Sequence, residues 1–388
     1  IRQLKTARGE LNRLMWQLAA KLTSRLPAEL AHNLTIQALR LGLAPVASQL
    51  LLPTKIAGMA FDNPVGLAAG FDKNAEAYMG AFRLGFGCVE VGTITPLPQM
   101  GNPRPRVFRL TADDAVINRY GFNSKGMRVA AAHLSSRSTR HGILGVNIGA
   151  NKLSQDKAAD YHKSAAHLSR FADYLTVNLS SPNTPGLRDF QHEEGLRACL
   201  QAAFDGRDEA GGPKAGRPPI FVKLAPDLDA AELFRSMDIA LDCGISGFIL
   251  TNTTTSRPAN LSSALKDEAG GLSGQPLTSL ALQKIAEAAK HLRGSGQPVA
   301  LIGVGGIGSA EQAYARLLAG ADLVQLYTAL ALQGPLMVAD LLAGLRAMMK
   351  ADGLSTIADV KQAGLSAKQA VRHAAHVAIE SAKLQSDN

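Results

Sequence analysis

The sequence predicts a parallel (β/α)8 TIM barrel with an N-terminal two-helix extension. Three observations predict it. Eight short β-type apolar runs recur after Pro53. A helical pattern fits between most neighbouring pairs. The runs are apolar without strict alternation, as strands buried on both faces are. A doubly wound open sheet is the competing layout. At 388 residues the chain is long for one domain, but barrels reach this size.

Residues 1–52 differ from the rest. Leu11, Leu14, Met15, Leu18, Leu22 and Leu26 fall at helical spacing. Pro27 suits the first turn of a second helix, whose face continues through Leu30, Leu34, Ala38 and Leu41 until Gly42 and Pro45 close it. Arg2, Lys5, Arg8, Arg13, Lys21, Arg25 and Arg40 outnumber Glu10 and Glu29 here. Two readings follow: a helical hairpin packed on its own domain, or a surface-lying membrane element with basic flanks.

The eight runs are Val65–Ala69, Cys88–Val91, Leu144–Ile148, Tyr174–Asn178, Ile220–Leu224, Gly247–Thr251, Val299–Gly303 and Asp322–Leu326. Helical patterns cover Ala75–Leu84, Tyr161–Phe171, Gly195–Phe204, Ala230–Leu241, Leu277–His291 and Ser309–Ala319. Two connections are long. Residues 93–143 hold a hairpin-like pair, Arg106–Leu110 and Ala115–Asn118, and residues 252–276 are rich in Thr, Ser and Gly. Long βα loops of a barrel usually carry function. Asp205–Pro219 reads as a polar loop on the opposite face. The predicted domains are 1–52, the barrel at 53–350, and a polar tail at 351–388 with a last helix from Ser366 to Leu384.

Composition narrows the function. Charged residues make up 19% and hydrophobic residues 46%, which is globular. Cys88, Cys199 and Cys243 form no CxxC pair, so neither a disulfide framework nor a cysteine zinc site is expected. The net charge of +9 permits an anionic partner, but 5% aromatics and no like-charge run argue against nucleic acid. No apolar stretch reaches the roughly 18 residues of a spanning helix. The chain opens on Ile1 rather than Met, which leaves a leader ahead of it open.

Catalysis in a barrel sits at the carboxyl ends of its strands. There the sequence places Ala69-Gly70-Phe71-Asp72-Lys73, Gly92-Thr93, Asn147, Asn178, Lys223, Thr251-Asn252-Thr253, Gly303–Gly306 and Tyr327-Thr328. The glycines before Ser309 form a candidate phosphate cradle after the seventh strand. Asn118, Asn123, Asn147, Asn178, Asn183 and Asn252, with two lysines, suit a flat, polar, anionic ligand. They do not suit metal hydrolysis, and no histidine spacing, GxSxG elbow or P-loop is present, so no metal site is expected. Lys223 ends an apolar run, so its ammonium is expected in the barrel mouth, where it needs an anionic partner.

Together Ala68–Lys73, Gly101–Arg106, Asn118–Asn123, 178–188 and Gly303–Ile307 resemble dihydroorotate dehydrogenase, and most closely its membrane-associated, quinone-dependent class 2. The resemblance covers about residues 10 to 350. It implies an FMN barrel that oxidises dihydroorotate to orotate for pyrimidine biosynthesis. By motif, FMN would contact Ala69, Gly70, Lys73, Thr93, Asn147, Asn178, Lys223, Thr251, Gly274, Gly306, Tyr327 and Thr328. The substrate would meet Lys73, Asn118, Arg119, Tyr120, Gly121, Phe122, Asn178, Asn183, Asn252 and Thr253. Ser181 stands where the family has its base, where the soluble class carries cysteine. Thr184 and Phe122 match the assisting threonine and gating phenylalanine. His32, Arg109 and Tyr327 align with the polar residues of a ubiquinone tunnel under the helical arm. The implied partners are dihydroorotate, the quinone and an anionic membrane surface. The expected protein is a monomer on the cytoplasmic face of a bacterial inner membrane, with the mitochondrial inner membrane as the alternative. The rival readings are a soluble-type FMN barrel using fumarate or NAD, and a non-catalytic membrane-binding barrel.

Overall fold

The computed structural model describes residues 15, 16, 18, 22, 23, 25–47, 50–137, 142–183, 193–210 and 217–364. Of the first arm helix, Met15, Trp16, Leu18, Leu22 and Thr23 are described, all helical. The tail helix expected at 366–384 lies outside the described residues.

Helix α1 (Ala28–Arg40) begins directly after Pro27. A hairpin the sequence reading missed follows, β1 (Thr54–Ile56) against β2 (Met59–Phe61). Its Ile56 and Phe61 pack on Cys88, Tyr174 and Phe221 and so cap the amino ends of the barrel interior. The barrel strands then come in order, interrupted twice: β3 (Val65–Leu67), β4 (Cys88–Ile94), the hairpin β5 (Val107–Leu110) and β6 (Ala115–Asn118), β7 (Ile143–Ile148), β8 (Tyr174–Asn178), β9 (Ile220–Leu224), β10 (Gly247–Leu250), β11 (Gly271–Gly274), β12 (Ala300–Val304) and β13 (Leu323–Leu326). Eight of them close a parallel barrel, with β13 pairing back onto β3. All eight predicted runs are barrel strands, so the open-sheet layout is excluded.

Register sorts the inward side chains. Gly66 pairs with Cys88, Glu90 with Gly145, Asn147 with Thr176, and Asn178 with Lys223. Glycine is required at 145, because a Cβ there would lie 2.1 Å from the Tyr174 ring. The outer layer is α2 (Tyr78–Arg83), α3 (Met127–Ser135), α4 (Lys157–Leu168), α5 (Glu193–Glu209), α6 (Ala230–Asp242), α7 (Thr278–Ser295), α8 (Ala310–Leu318), α9 (Thr328–Gln333), α10 (Met337–Ala351) and α11 (Ile357–Gly364). Local capping fixes several starts. Asp229 and Glu232 form a capping box on α6, and Asp156 and Ser309 cap α4 and α8.

Three sequence expectations need correction. Helix α5 runs on to Glu209, so the loop expected from Asp205 starts later. The hairpin β5–β6 gains a third strand, β11, from the second long connection. On α1 the buried residues are Ala31, Ile36 and Leu39, while Leu30, Leu34 and Leu41 are exposed. The close approach is at Leu39, which lies against Gly80 of the next helix, where a Cβ would fall 2.4 Å from Leu39 O; that contact turns the other leucines outward.

Candidate active site

A cavity of about 610 Å3 opens at the carboxyl ends of the strands. Its wall gathers almost every residue singled out from the sequence: His32, Ala69, Gly70, Lys73, Thr93, Arg109, Asn118, Tyr120, Gly121, Phe122, Asn178, Ser181, Asn183, Lys223, Thr251, Asn252, Thr253, Gly274, Gly306, Tyr327 and Thr328. Two predicted residues do not reach it. Asn147 lies fully buried behind the wall. Arg119 turns away to pair with Glu268 at 2.6 Å and to stack on Phe108. Thr184 lies outside the described residues.

The amides form two hydrogen-bonded groups, one joining Asn178 to Thr93, Asn147, Ser180 and Asn252, the other joining Asn183 to Asn118. Asn178 Nδ2 donates to Thr93 Oγ1 at 2.9 Å and to Asn147 Oδ1 at 3.1 Å. Thr93 donates to Asn147 Oδ1 at 2.6 Å. Asn252 Nδ2 donates to Ser180 Oγ at 2.9 Å, and Asn183 Nδ2 donates to Asn118 Oδ1 at 3.3 Å. Each amide is thus held by its neighbours before any ligand arrives, which is preorganisation. Below the first group lies Glu90, fully buried, a residue the sequence reading missed. It accepts from Asn147 Nδ2 at 2.7 Å, Tyr174 Oη at 3.0 Å and Gln325 Nε2 at 2.9 Å.

Ser181 is buried, and its hydroxyl accepts from the Asn183 N–H at 3.3 Å. Phe122 takes a left-handed backbone, φ +54°, and its ring lies over Gly149, where a Cβ would be 3.0 Å away. Two lysines face the cavity, Lys223 buried and Lys73 partly exposed. Burial lowers the Lys223 ammonium below its ordinary range, against the pull of Glu90. Lys73 donates to Gly70 O at 2.6 Å and sits 4.1 Å over the Tyr120 ring. Burial brings Lys73 down to about 7, with Glu29 opposing and Arg106 assisting.

On the arm side the wall turns apolar through Ala31, Leu34, Ala38 and Leu39. His32 packs edge-on to Phe71 at 5.3 Å and lies 6.2 Å from the Tyr327 ring. Burial, with the charge of Lys73, pushes its imidazole well below the usual range, against a hydrogen bond to the Phe71 backbone. Arg109 donates to Leu26 O at 2.7 Å. At the opposite end Gly305 and Gly306 take φ +114° and +65°, which only glycine adopts freely. Ser309 starts α8 beside them.

A closed parallel barrel with preorganised amides, two cavity-facing lysines and a glycine turn at its carboxyl face is a (β/α)8 enzyme. Comparison with known proteins specifies which. The family model for dihydroorotate dehydrogenase matches residues 51–349. The chain is 48% identical over 337 residues to the dihydroorotate dehydrogenase (quinone) of Xanthobacter autotrophicus, covering 85% of this chain and 94% of the relative. It is 46% identical over 364 residues to the mitochondrial enzyme of that name from Mus musculus, covering 91% of each. The crystal structure of DHODH from Eimeria tenella in complex with ferulenol superposes with TM-score 0.82 at 40% identity, covering 87% of this chain and 97% of that one. This chain belongs to the dihydroorotate dehydrogenase family.

Proposed function

We propose that this chain oxidises dihydroorotate to orotate and delivers the electrons to a quinone, as a step of pyrimidine biosynthesis. The convergence of Ser181, Lys73 and the two amide groups on one cavity wall carries this reading. FMN is the proposed resident cofactor, and the residues fit it. The buried Oδ1 of Asn123, on the cavity wall, has no partner among the described residues. Gly305 and Gly306, both at positive φ, line the cavity at the start of α8, where main-chain N–H groups can meet a phosphate. When bound, FMN supplies the hydride acceptor and relays electrons to the quinone.

The chain's own residues do the rest. Lys73, Asn118, Asn178, Asn183, Asn252 and Thr253 would hold the flat anionic substrate through its carboxylate and ring amides. Ser181 would take the C5 proton, and Phe122 would shield it from water. A serine hydroxyl is a weak base, so its buried setting must assist. Ala69, Gly70, Thr93, Lys223, Thr251, Gly274, Gly306, Tyr327 and Thr328 would hold the cofactor, with Asn147 bracing Thr93 and Asn178 from behind. His32, Arg109 and Tyr327 would line the quinone path beneath the apolar arm.

Among the described residues no helix is long and apolar enough to cross a membrane. Peripheral attachment through the arm fits the exposed leucines. The membrane proposed is the cytoplasmic face of a bacterial inner membrane or a mitochondrial inner membrane, both sources being represented among the relatives. An anaerobic titration tests the reaction. Dihydroorotate should bleach the flavin absorbance of the purified protein, and a quinone should restore it. A flavin spectrum unchanged by dihydroorotate would refute the substrate.

A further inference from the structure

We infer that Arg316 is a positioning residue for the phosphate of the cofactor, although it does not line the cavity. The inference rests on the reading that the resident cofactor is FMN.

Arg316 sits on the inner face of α8 and is 0% exposed, the largest fully buried side chain among the described residues. A buried cation is costly unless compensated, and the usual compensation is a carboxylate. Among the described residues no carboxylate pairs with Arg316. Its donors instead go to three main-chain carbonyls: Nη2 to Gly305 O at 2.5 Å and Thr278 O at 3.2 Å, and Nη1 to Gln312 O at 2.8 Å. Its Nε has no partner among the described residues.

Those contacts set the direction of the glycine turn. In a trans peptide the C=O and the following N–H point opposite ways. Drawing the Gly305 carbonyl onto the guanidinium therefore turns the Gly306 N–H away from it, toward the cavity that both glycines line. Thr278 Oγ1 does the same one residue later, donating to Gly306 O at 2.9 Å and so turning the Ile307 N–H outward. Successive N–H groups aimed into one concavity form an anion nest. The start of α8, capped by Ser309, adds its dipole at the same place. A guanidinium behind the nest polarises its peptides and places a full positive charge where a phosphate dianion would supply the missing counter-charge. Lys223 and Lys73 serve the ring and substrate end, so Arg316 separates phosphate recognition from flavin-ring recognition.

Riboflavin, which lacks only the phosphate, makes the test. Purified full-length protein, wild type and R316M, would be exchanged against FMN or riboflavin, with bound flavin read by fluorescence and melting temperature as control. R316M should weaken FMN by about 30-fold or more and riboflavin by less than about threefold, collapsing the preference for FMN. R316K keeps the charge and should retain most of that preference. Should R316M not fold, R316Q is read in the same way, since it loses the charge but can still donate to Gly305 O. Equal loss of FMN and riboflavin, or no loss of either, overturns the inference and leaves Arg316 a packing residue. A wild-type protein with no flavin and no affinity for FMN refutes the cofactor reading itself and the inference with it.

Discussion

Ser181 is the residue on which the proposed chemistry turns. Ser181 lines the cavity, and the contact to the Asn183 N–H holds its hydroxyl on the wall that carries Asn178, Asn183 and Asn252. Replacing Ser181 with alanine should slow dihydroorotate-dependent flavin bleaching by about a hundred- to ten-thousand-fold, while orotate affinity changes by less than about threefold. A stopped-flow trace at the wild-type rate would remove Ser181 from the base role. The loop Asn178-Leu179-Ser180-Ser181-Pro182-Asn183 was legible in the sequence as a stiff turn at the end of a strand, and the role proposed for Ser181 rests on the resemblance of that loop to the family motif. Glu90 and Arg316 were not. Each is a charged residue inside an apolar run; Arg316 takes its meaning from main-chain carbonyls 4, 11 and 38 residues away, Glu90 from side chains much further off. Tyr174 and Gln325 meet Glu90 across 84 and 235 residues of chain. No local pattern carries that information.

At the level of elements, α1 is tied to β5 and the segment before it by charge as well as by packing. Glu29 accepts from Arg106 Nη2 at 2.7 Å and from Arg104 Nε at 3.0 Å. Arg106 lies 5.4 Å from the Tyr120 ring, whose ring also carries Lys73. Glu29 thereby raises the proton affinity of Lys73, and Arg106 and burial lower it to about 7. The sign follows directly. An anionic ligand binds the protonated lysine, so orotate affinity should be highest below pH 7 and fall as pH rises through about 7. In E29Q the supporting negative charge is gone, and the break should move to lower pH. Orotate binding followed by flavin difference spectra across pH 5.5 to 9 reads both; a break unmoved by E29Q would uncouple the arm from Lys73. The barrel strands were legible because burial on both faces leaves continuous apolar runs. Strand β11 was not, since Gly271-Leu272-Ser273-Gly274 has little strand propensity of its own and exists through its ladder to β6. The same limit applied to α1. Helical periodicity located it, but two apolar stripes fit one period, and packing selected the one that carries Ala31, Ile36 and Leu39.

For the molecule as a whole, the exposed stripe and the net charge point the same way. Leu30, Leu41, Leu43 and Val46 are 47–72% exposed, beside an arm whose sequence is basic and within a chain of net charge +9. Apolar side chains supply affinity for the acyl boundary and basic residues supply affinity for anionic headgroups, so both should be needed for firm attachment. The protein should co-sediment with vesicles containing anionic lipid, bind neutral vesicles weakly, and dissociate as salt shortens the screening length to well under about 10 Å. L30Q/L41Q changes two leucines that do not line the cavity and leaves the Glu29 contacts intact. That variant should lose vesicle binding and turnover with a long-chain quinone held in the vesicles. Flavin bleaching by dihydroorotate and turnover with a short, water-soluble quinone should stay at wild-type rates, because the cavity and its amides are untouched. Equal loss with both quinones would mean that the leucines support the fold of the arm rather than its seat on lipid. Undiminished vesicle binding would place the membrane contact elsewhere on the molecule.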